Sequence, residues 1–346
     1  MDWVRGQKLG HGSFATVNLA RLRRQTSPFP PLMAVKSCGV MRSSSLMNEK
    51  LVLEALKDCP QIIRCFGDCF SYENGEKLYN VLLEYAPGGS LADKLKNSRD
   101  RNLPESDIRR YTKALLEGLR YIHELGYVHC DIKLQNILLV PNGGVKIADF
   151  GLAKRGPGER NENFTGCELR GTPLYMSPEI VTVGEQGAPA DIWALGCAVA
   201  EMVTGTPAWH CYDMSRLLLR IGVGEDLPEI PKSLSEQGKD FLGKCLVRAP
   251  SKRWTAEMLM NHPFVSDDQD FDFNEEERTK ALISPTCLFD FPEWESLVSS
   301  SSSTFTSRKY SPESGSWSVT PATRLQRLWS DQCPDWSVTK SWITLR

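Results

Sequence analysis

The sequence predicts an α+β protein with two lobes, a small β-rich lobe followed by a larger α-helical lobe. Short alternating segments and a single helical stretch occupy the chain before Pro87, which is typical of antiparallel strands. Helical periodicity dominates after Gly89. With 346 residues, 41% hydrophobic and 24% charged, the chain has the composition of a soluble globular protein and is long enough for one large two-lobed domain or two smaller ones.

The small lobe is predicted to consist of strands interrupted by one helix. A proline-rich segment at residues 28–31 marks a connecting loop between two of the strands. The predicted strands cover residues 7–9, 16–21, 32–37, 62–70 and 77–84, and the helix covers residues 43–56.

The large lobe is predicted to begin with a helix over residues 104–125. Its apolar residues recur at steps of three and four, a proline begins it and Gly126 follows its end, as in an amphipathic helix. Those apolar residues are Ile108, Tyr111, Leu115, Leu119 and Ile122. Further helices are predicted over residues 189–204, 214–221, 235–247 and 256–260.

The chain changes character after Pro263-Phe264. Residues 267–277 carry seven acids and no base, and residues 299–303 are all serine, a composition typical of disorder. From residue 266 onward there are 13 acidic and 8 basic residues. We therefore predict a folded domain over residues 3–265, followed by an acidic, largely disordered regulatory or docking tail over residues 266–346.

Composition and charge argue against several classes of partner. The net charge of −2 gives no reason to expect nucleic acid. The most apolar stretch, residues 192–199, is too short to span a bilayer, and the N-terminus lacks a signal-peptide core. The eleven cysteines lack paired zinc-site spacing, which favours reduced thiols. We expect no nucleic-acid or membrane partner and a cytoplasmic or nuclear protein.

A glycine-rich segment over residues 10–17 lies on a predicted strand–turn–strand. Glycines at such a turn let backbone amides close over phosphate oxygens without a side-chain clash, and Val17 would then lie against an adenine ring. Glycine turns are common in hairpins, so this segment alone is equally compatible with an ordinary turn.

Lys36 lies on the predicted strand over residues 32–37. Such a lysine is usually a solvated edge charge, but beside a phosphate-binding turn it would reach the α- and β-phosphates. It needs an anionic partner, because a lone flexible ammonium positions nothing. We predict Glu49, with Glu54 as the alternative. Glu49 is preferred because Leu53, one turn further on, would then face the lobe interior.

The segment His129-Cys130-Asp131-Ile132-Lys133-Leu134-Gln135-Asn136 is the most informative part of the chain. Asp131 can accept a hydrogen bond from a substrate hydroxyl and orient it toward a γ-phosphate. Lys133 can stabilise charge that develops on that phosphate, and Asn136 can hold a metal ion. In Asp149-Phe150-Gly151, Asp149 can chelate Mg²⁺. Alone each tripeptide is an ordinary loop; their order and spacing carry the signal.

Together with Ser177-Pro178-Glu179 these motifs resemble the signature set of the protein kinases over residues 4–265. The resemblance implies the bilobal protein-kinase fold, ATP and Mg²⁺, Leu83 as gatekeeper, a hinge at residues 84–86, and a pair between Arg253 and Glu179. The implied catalytic residues are Lys36, Glu49, Asp131 and Lys133, and the implied metal ligands are Asn136 and Asp149. The implied nucleotide-binding residues are Leu9, Gly10, His11, Gly12, Ser13, Phe14, Ala15, Val17, Ala34, Lys36, Glu84, Ala86 and Leu138. The implied activation-segment residues are Thr165, Thr172, Glu179 and Arg253.

The choice of substrate follows from the same resemblance. Lys133 and the segment Gly171-Thr172-Pro173-Leu174-Tyr175-Met176-Ser177-Pro178-Glu179 are similar to the serine/threonine pattern and differ from that of the tyrosine kinases. The residues within these motifs resemble those of the plant mitogen-activated protein kinase kinase kinases of the MEKK-like group. The resemblance is strongest to short members whose kinase domain begins at the N-terminus. This resemblance implies MAP kinase kinases as substrates, in stress or abscisic-acid signalling.

Two rival classes are weighed against this interpretation. A pseudokinase scaffold would bind partners without chemistry, but such proteins usually lose at least one of the key residues, all of which are present here. A small-molecule kinase would share the phosphate machinery but generally lacks the segment from Thr172 to Glu179 that holds a peptide. The sequence favours an active protein kinase.

Cys130 departs from the family pattern, which usually has arginine before the catalytic aspartate. That arginine normally pairs with a phosphate on the activation loop and orders it, which cysteine cannot do. We hypothesise that this enzyme depends less on that phosphate, although Thr165 is present and other basic residues could serve.

The predicted tail carries five tryptophans, which a plain solvated linker seldom does. They could be docking motifs that order on a partner, or they could cover the kinase's own large lobe. The sequence leaves both open. The tryptophans are Trp294, Trp317, Trp329, Trp336 and Trp342.

Overall fold

The computed structural model describes residues 2–12, 15–23, 28–141, 143–156, 170–211 and 213–266. These residues form the predicted two lobes. The small lobe is a five-stranded antiparallel sheet in the order β1-β2-β3-β5-β4, with one helix, α1, at Ser44–Ala55. Its strands are β1 at Trp3–His11, β2 at Thr16–Leu22, β3 at Leu32–Gly39, β4 at Cys65–Glu73 and β5 at Glu76–Glu84.

The large lobe is mainly helical. Its helices are α2 at Leu91–Asn97, α3 at Glu105–Glu124, α4 at Pro178–Val183, α5 at Ala188–Thr204, α6 at Met214–Gly222, α7 at Glu236–Cys245, α8 at Ala256–Met260 and α9 at Pro263–Ser266. Two short antiparallel strand pairs complete it: β6 at Tyr127–Val128 pairs with β9 at Lys154–Arg155, and β7 at Ile137–Leu139 pairs with β8 at Val145–Ile147.

Helix α5 is the centre of the large lobe, since every residue from Ala190 to Val203 is buried. It lies against α7 at Gly196, where an added Cβ would approach within 2.8 Å of the Cβ of Cys245. A side chain at this position would therefore separate the two helices. Helix α5 also carries Asp191, which contacts the loop of the functional site.

The predicted elements exist, but two boundaries are wrong. The strand predicted over residues 7–9 begins at Trp3 and ends at His11. The strand predicted over residues 62–70 begins only at Cys65. Ile62 instead forms an isolated bridge with Ile147 of the large lobe, and the Ile63 amide donates to the Ile147 carbonyl at 3.0 Å. The apolar pair at 62–63 extends the sequence pattern of the strand but serves the contact between lobes.

The prediction also lacked several short elements. Helix α2 is one of them, although Ser90 and Asp93 form a capping box at its start, a signal that the sequence offers. Strands β6 to β9 are only two or three residues long, and so short a strand has no readable alternation.

The described residues contain no helix long and apolar enough to cross a lipid bilayer. The eight cysteines in the described part of the chain are all free thiols. No cluster of three or more histidine, cysteine or acidic side chains suited to a metal ion occurs in the same ranges.

Candidate active site

The glycine-rich turn joins β1 to β2 and forms one side of the cleft between the lobes. Gly10 pairs with Val17 and His11 with Thr16 across the hairpin, and the Gly12 amide donates to the Ala15 carbonyl at 2.9 Å. Leu9 and Ala15 are buried below the turn. Ser13 and Phe14, which the sequence also assigns to nucleotide binding, lie outside the described residues.

Lys36 projects from β3 into the cleft and meets two carboxylates. Its Nζ donates to Oε2 of Glu49 on α1 at 2.6 Å and to Oδ1 of Asp149 at 2.9 Å. Glu54, the alternative partner, instead pairs with Lys50 at 2.8 Å. Glu49 is 1% exposed, and Leu53 is buried one turn further on. The Lys36 ammonium thus links α1 of the small lobe to the loop of the large lobe that carries Asp149.

The charges of these three groups are coupled. Burial disfavours the charged Lys36 ammonium, but Asp149 and Glu49 outweigh it and raise its pKa above the ordinary value. Desolvation in the cleft opposes ionisation of Asp149, yet Lys36 dominates and lowers the pKa of Asp149 to about 2. Burial raises the pKa of Glu49, and Lys36 opposes that rise. The cleft therefore holds a fixed cation beside an ionised Asp149.

Asp131 lies at the centre of a second set of contacts. Thr172 donates its hydroxyl to Asp131 Oδ1 at 2.7 Å, and the Asn136 amide donates to Asp131 Oδ2 at 3.0 Å. Lys133 Nζ lies 2.8 Å from Asp131 Oδ2 and 2.9 Å from the Thr172 hydroxyl. Two segments 41 residues apart in sequence are joined at one carboxylate, which fixes its orientation.

The loop that carries Asp131 is held from α5. Asp191 accepts the amides of His129 and Cys130 at 2.8 and 3.0 Å, and it pairs with the His123 ring at 2.9 Å. Burial opposes ionisation of Asp191, but the His123 hydrogen bond and the nearby charges lower its pKa. His123 was not among the predicted site residues, because nothing in the sequence marks a histidine 68 residues from its partner.

His129 orients Asp131 through its ring. Burial lowers the pKa of His129, which favours the neutral ring. The Asp131 amide donates to Nδ1 at 3.2 Å, so Nε2 carries the proton and donates to the Ala148 carbonyl at 3.1 Å.

The backbones of Cys130 and Asp149 both have a positive φ angle, 70° and 63°, a conformation that is unfavourable for residues other than glycine. Such positions persist where the surrounding structure over-determines them.

Cys130 occupies a buried position beneath this loop. Its Sγ lies 3.5 Å from the Val128 carbonyl, and burial raises the pKa of the thiol well above its ordinary value. The thiol is therefore neutral and offers no cation to a phosphate. Thr165, which the resemblance assigns to the activation segment, lies outside the described residues.

The segment from Gly171 to Glu179 forms a platform beside Asp131. Arg253 holds its end through two contacts with Glu179, at 2.7 and 3.1 Å. Tyr175 donates its hydroxyl to Glu201 on α5, and both residues are buried. Neither Tyr175 nor Glu201 was predicted, since a Tyr–Glu pair leaves no spacing signal in the sequence.

The predicted hinge lies at the end of β5. Glu84 accepts from Lys146 on β8 at 2.7 Å and from the Arg64 amide at 3.1 Å. The Glu84 carboxylate thus contacts both lobes, and the Glu84 amide donates to the Arg64 carbonyl at 2.8 Å. The residues assigned to the walls of the nucleotide site are buried or half-buried: Ala34, Leu83, Ala86 and Leu138.

The donor set fits Mg²⁺. Asp149 supplies an ionised carboxylate and Asn136 an amide, and Mg²⁺ favours hard oxygen ligands from one or two carboxylates together with substrate phosphates. Lys36 lies beside the same carboxylate, where it can face phosphate oxygens.

Comparison with known proteins agrees with this geometry. The protein kinase domain family matches residues 3–265. The chain is 50% identical over 355 aligned positions to mitogen-activated protein kinase kinase kinase 20 of Arabidopsis thaliana, with full coverage of both. It is 41% identical to mitogen-activated protein kinase kinase kinase 18 of the same organism, and the alignment covers 86% of each chain. It is 38% identical to mitogen-activated protein kinase kinase kinase YODA of that organism, and the alignment covers 76% of this chain and 29% of YODA.

Protein kinases generally use ATP and Mg²⁺. The retained Lys36, Asp131 and Asp149, the platform that follows Thr172 and the full-length similarity point to one family. The chain belongs to the plant mitogen-activated protein kinase kinase kinases, which are serine/threonine protein kinases.

Proposed function

We propose that this kinase transfers the γ-phosphoryl group of ATP to serine or threonine hydroxyls of MAP kinase kinases. The observation that carries the phosphoryl-transfer proposal is the simultaneous contact of Lys36 with Glu49 and Asp149. It places a permanently charged ammonium next to an ionised carboxylate in the cleft between the lobes. This is the arrangement needed to position a triphosphate, because such catalysis depends on positioning and charge stabilisation.

On the nucleotide side, Lys36 holds the phosphates and Glu49 holds Lys36. Asp149 and Asn136 would hold Mg²⁺, which would neutralise charge on the triphosphate. The turn between β1 and β2 covers the phosphates with backbone amides, and the hinge from Glu84 to Ala86 binds the adenine edge. These roles are assigned on residue chemistry and on the contacts described above.

On the acceptor side, Asp131 orients the substrate hydroxyl and takes its proton as the oxygen bonds to phosphorus. The bond from the γ-phosphorus to the bridging oxygen breaks, and ADP leaves with that electron pair. Lys133, beside Asp131 and Thr172, stabilises the charge on the transferred group. The platform from Thr172 to Glu179 holds the peptide that presents the hydroxyl.

The choice of MAP kinase kinases as substrates is supported by the family to which the chain belongs. We place the kinase in a stress or abscisic-acid cascade on the same basis. Loss of the gene product should then reduce phosphorylation of one MAP kinase kinase after abscisic-acid or osmotic treatment. An unchanged phosphorylation pattern would remove the pathway assignment and leave the enzymatic proposal intact.

The direct test is phosphate transfer by the purified full-length protein. We expect radiolabel from Mg-ATP to appear on at least one member of a panel of MAP kinase kinases made inactive by mutation. Asp149→Asn should abolish transfer, whereas Asp100→Asn, at an exposed position, should leave it unchanged. Transfer to a generic protein but to no panel member would overturn the substrate assignment. Absence of any transfer, including to the enzyme itself, would overturn the activity.

A further inference from the structure

Three aliphatic side chains are exposed where helices α4 and α6 end. Val183, Val223 and Leu227 are 62%, 58% and 50% exposed. Single exposed aliphatic residues are ordinary, but a group of them in one place marks an interaction surface. We call residues 183–185 together with residues 223–229 the α4–α6 ridge.

The two parts of the ridge are packed together. Gly222, at the end of α6, lies so close to α4 that an added Cβ would be 2.8 Å from Cγ1 of Val181. The loop that follows α6 is held by Arg248, which donates to the carbonyls of Ile221 at 2.9 Å and of Asp226 at 3.1 Å. The ridge is therefore a fixed surface.

The ridge is also acidic. Residues 183–185 and 223–229 include four carboxylates and no lysine or arginine. Asp226 pairs with Arg220 at 3.0 Å. The other three, Glu185, Glu225 and Glu229, are exposed and have no hydrogen-bond or ion-pair partner among the described residues. Aliphatic side chains flanked by unpaired carboxylates suit a partner that combines apolar and basic residues.

The chain itself contains such a segment. Residues 324–329 read Arg324-Leu325-Gln326-Arg327-Leu328-Trp329, with two arginines and three large apolar residues. At helical spacing the apolar residues share one face. The acidic residues 267–277, in contrast, would be repelled by the ridge. We propose that residues 324–329 dock on the α4–α6 ridge of the same molecule.

The length of the intervening chain permits this contact. Residues 267–323 separate the end of α9 from Arg324, and a coil of that length has an end-to-end distance of about 40 Å. A domain of this size has a radius of gyration of about 18 Å. Tethering raises the effective concentration of the segment to the millimolar range, so a weak contact suffices.

Docking at this place would affect access of protein substrates. The ridge begins at the far end of α4 from Glu179, and a six-residue helix is about 9 Å long. A segment on the ridge thus lies next to the platform and competes with a folded substrate for the same side of the lobe. The docking contact itself does not depend on which substrate the kinase uses.

The test uses the full-length protein with a photo-crosslinking residue, benzoylphenylalanine, at Gln326. We expect crosslinks to residues 183–185 and 223–229, located by mass spectrometry, with a yield independent of protein concentration. The variants Arg324→Glu/Arg327→Glu and Glu225→Lys/Glu229→Lys should each reduce that yield at least fivefold, and the combined charge swap should restore it. Asp100→Lys/Glu257→Lys, which alters exposed acids elsewhere, should have no effect.

Several outcomes would overturn the proposal. Crosslinks to another surface, or a yield that the charge variants leave unchanged, exclude docking on the ridge. Crosslinks between isotopically light and heavy chains in a mixture assign the contact to a second copy. If the Glu225→Lys/Glu229→Lys variant raises KM for a protein substrate at least fivefold while the crosslinks persist, the ridge serves the substrate instead. The charge-swap rescue shows whether a low yield reflects a folding defect.

Discussion

Arg253 and Glu179 form a two-point ion pair beneath the peptide platform, with Nη1–Oε1 and Nη2–Oε2 distances of 2.7 and 3.1 Å. The guanidinium also donates to the carbonyls of Pro189 and Val247 at 2.6 and 2.8 Å. The Arg253 side chain is wholly inaccessible to solvent and that of Glu179 nearly so. This ion pair therefore anchors the platform, and removing either charge leaves the other one buried without an opposite charge.

We expect Glu179→Gln to lower the free energy of unfolding by about 3 kcal/mol, since breaking a buried pair leaves an uncompensated charge. Arg253→Lys should also destabilise the protein, because an ammonium cannot reproduce the planar fork. Chemical denaturation monitored by circular dichroism measures both effects. Glu257→Gln, at an exposed position, is the control, and equal stability of Glu179→Gln and the control would contradict the anchoring role.

The partner of Lys36 can be tested by paired substitutions on α1. Glu49→Gln should lower kcat/KM by about 10- to 100-fold, because a poorly held ammonium misplaces the phosphates. Glu54→Gln should change it less than twofold, since Glu54 contacts Lys50 on the outer side of the helix. Steady-state kinetics with one protein substrate compares the two. Similar losses in both variants would speak against a specific role for Glu49.

Glu201 should make stability depend on pH. Burial raises its pKa to about 7 from an ordinary value of 4.5, although the Tyr175 hydrogen bond opposes that rise. The folded state therefore retains a proton between pH 4.5 and 7 that the unfolded state has released. This contribution to stability is complete below pH 4.5 and is lost as the pH rises through about 7.

Relative to Glu201→Gln, the unmutated protein should thus lose about 3 kcal/mol of unfolding free energy between pH 4.5 and 8. Denaturation curves at several pH values, measured for both proteins, give this difference. Tyr175→Phe should steepen the loss, because it removes the hydrogen bond that favours the charged carboxylate. A constant difference between Glu201→Gln and the unmutated protein across the pH range would exclude this titration.

The neutral, buried Cys130 thiol supports the hypothesis that an activation-loop phosphate matters less here. We expect Thr165→Ala to retain at least a tenth of the kcat of the unmutated enzyme. Thr172→Ala should be far less active, since Thr172 contacts both Asp131 and Lys133. Initial rates of phosphate transfer check both. An inactive Thr165→Ala enzyme would count heavily against the hypothesis.

Arg5 organises a polar network across the small lobe's sheet. It donates to both carboxylate oxygens of Glu73 at 2.8 and 2.9 Å, to Asn80 at 2.9 Å and to Ser37 at 2.9 Å. Asn80 and Ser37 are buried and keep their mutual hydrogen bond at 2.7 Å, so Arg5→Met removes only the charge-assisted hydrogen bonds that the guanidinium makes to them and to Glu73. We expect a loss of about 2 kcal/mol in unfolding free energy.

The matched control is Arg23→Met, because the pair of Arg23 with Asp2 is exposed and 3.5 Å apart. Its substitution should alter stability by less than about 0.5 kcal/mol. The Arg5 hydrogen bonds also lower the pKa of Glu73. That stabilisation is present above pH 4.5 and is lost as the pH falls, so the Arg5→Met effect should shrink in acid. Equal losses in the two arginine variants would exclude a role for the network.

Much of the site could be predicted from the sequence because its parts are local. The segment from His129 to Asn136 places Asp131, Lys133 and Asn136 within six residues, and the glycine-rich turn is a single hairpin. The long helix α3 follows equally from periodicity, since one of its faces must be apolar to pack against the lobe. Family resemblance then assigned roles to residues that periodicity alone leaves as ordinary loop positions.

The remaining features depend on contacts between distant segments. Nothing in the sequence pattern joins Tyr175 to Glu201, His123 to Asp191 or Arg5 to Glu73. Such pairs arise only when the fold brings separate elements together, and burial then sets their energies and pKa values. The sequence already favoured Glu49 over Glu54 through the position of Leu53, and in the structure Glu49 contacts Lys36 while Glu54 pairs with Lys50.

The sequence by itself determined the two-lobed class, the kinase motifs and the acidic composition that follows the domain. Tertiary structure alone decided how the motifs are held: Asp191 on α5 accepts the amides of His129 and Cys130, and Tyr175 of the platform donates to Glu201. The α4–α6 ridge belongs to the same category, because residues 183–185 and 223–229 come together only when α4 packs against Gly222 at the end of α6. The reactive side chains of each motif lie close together in the sequence, whereas their orientation depends on packing between distant segments.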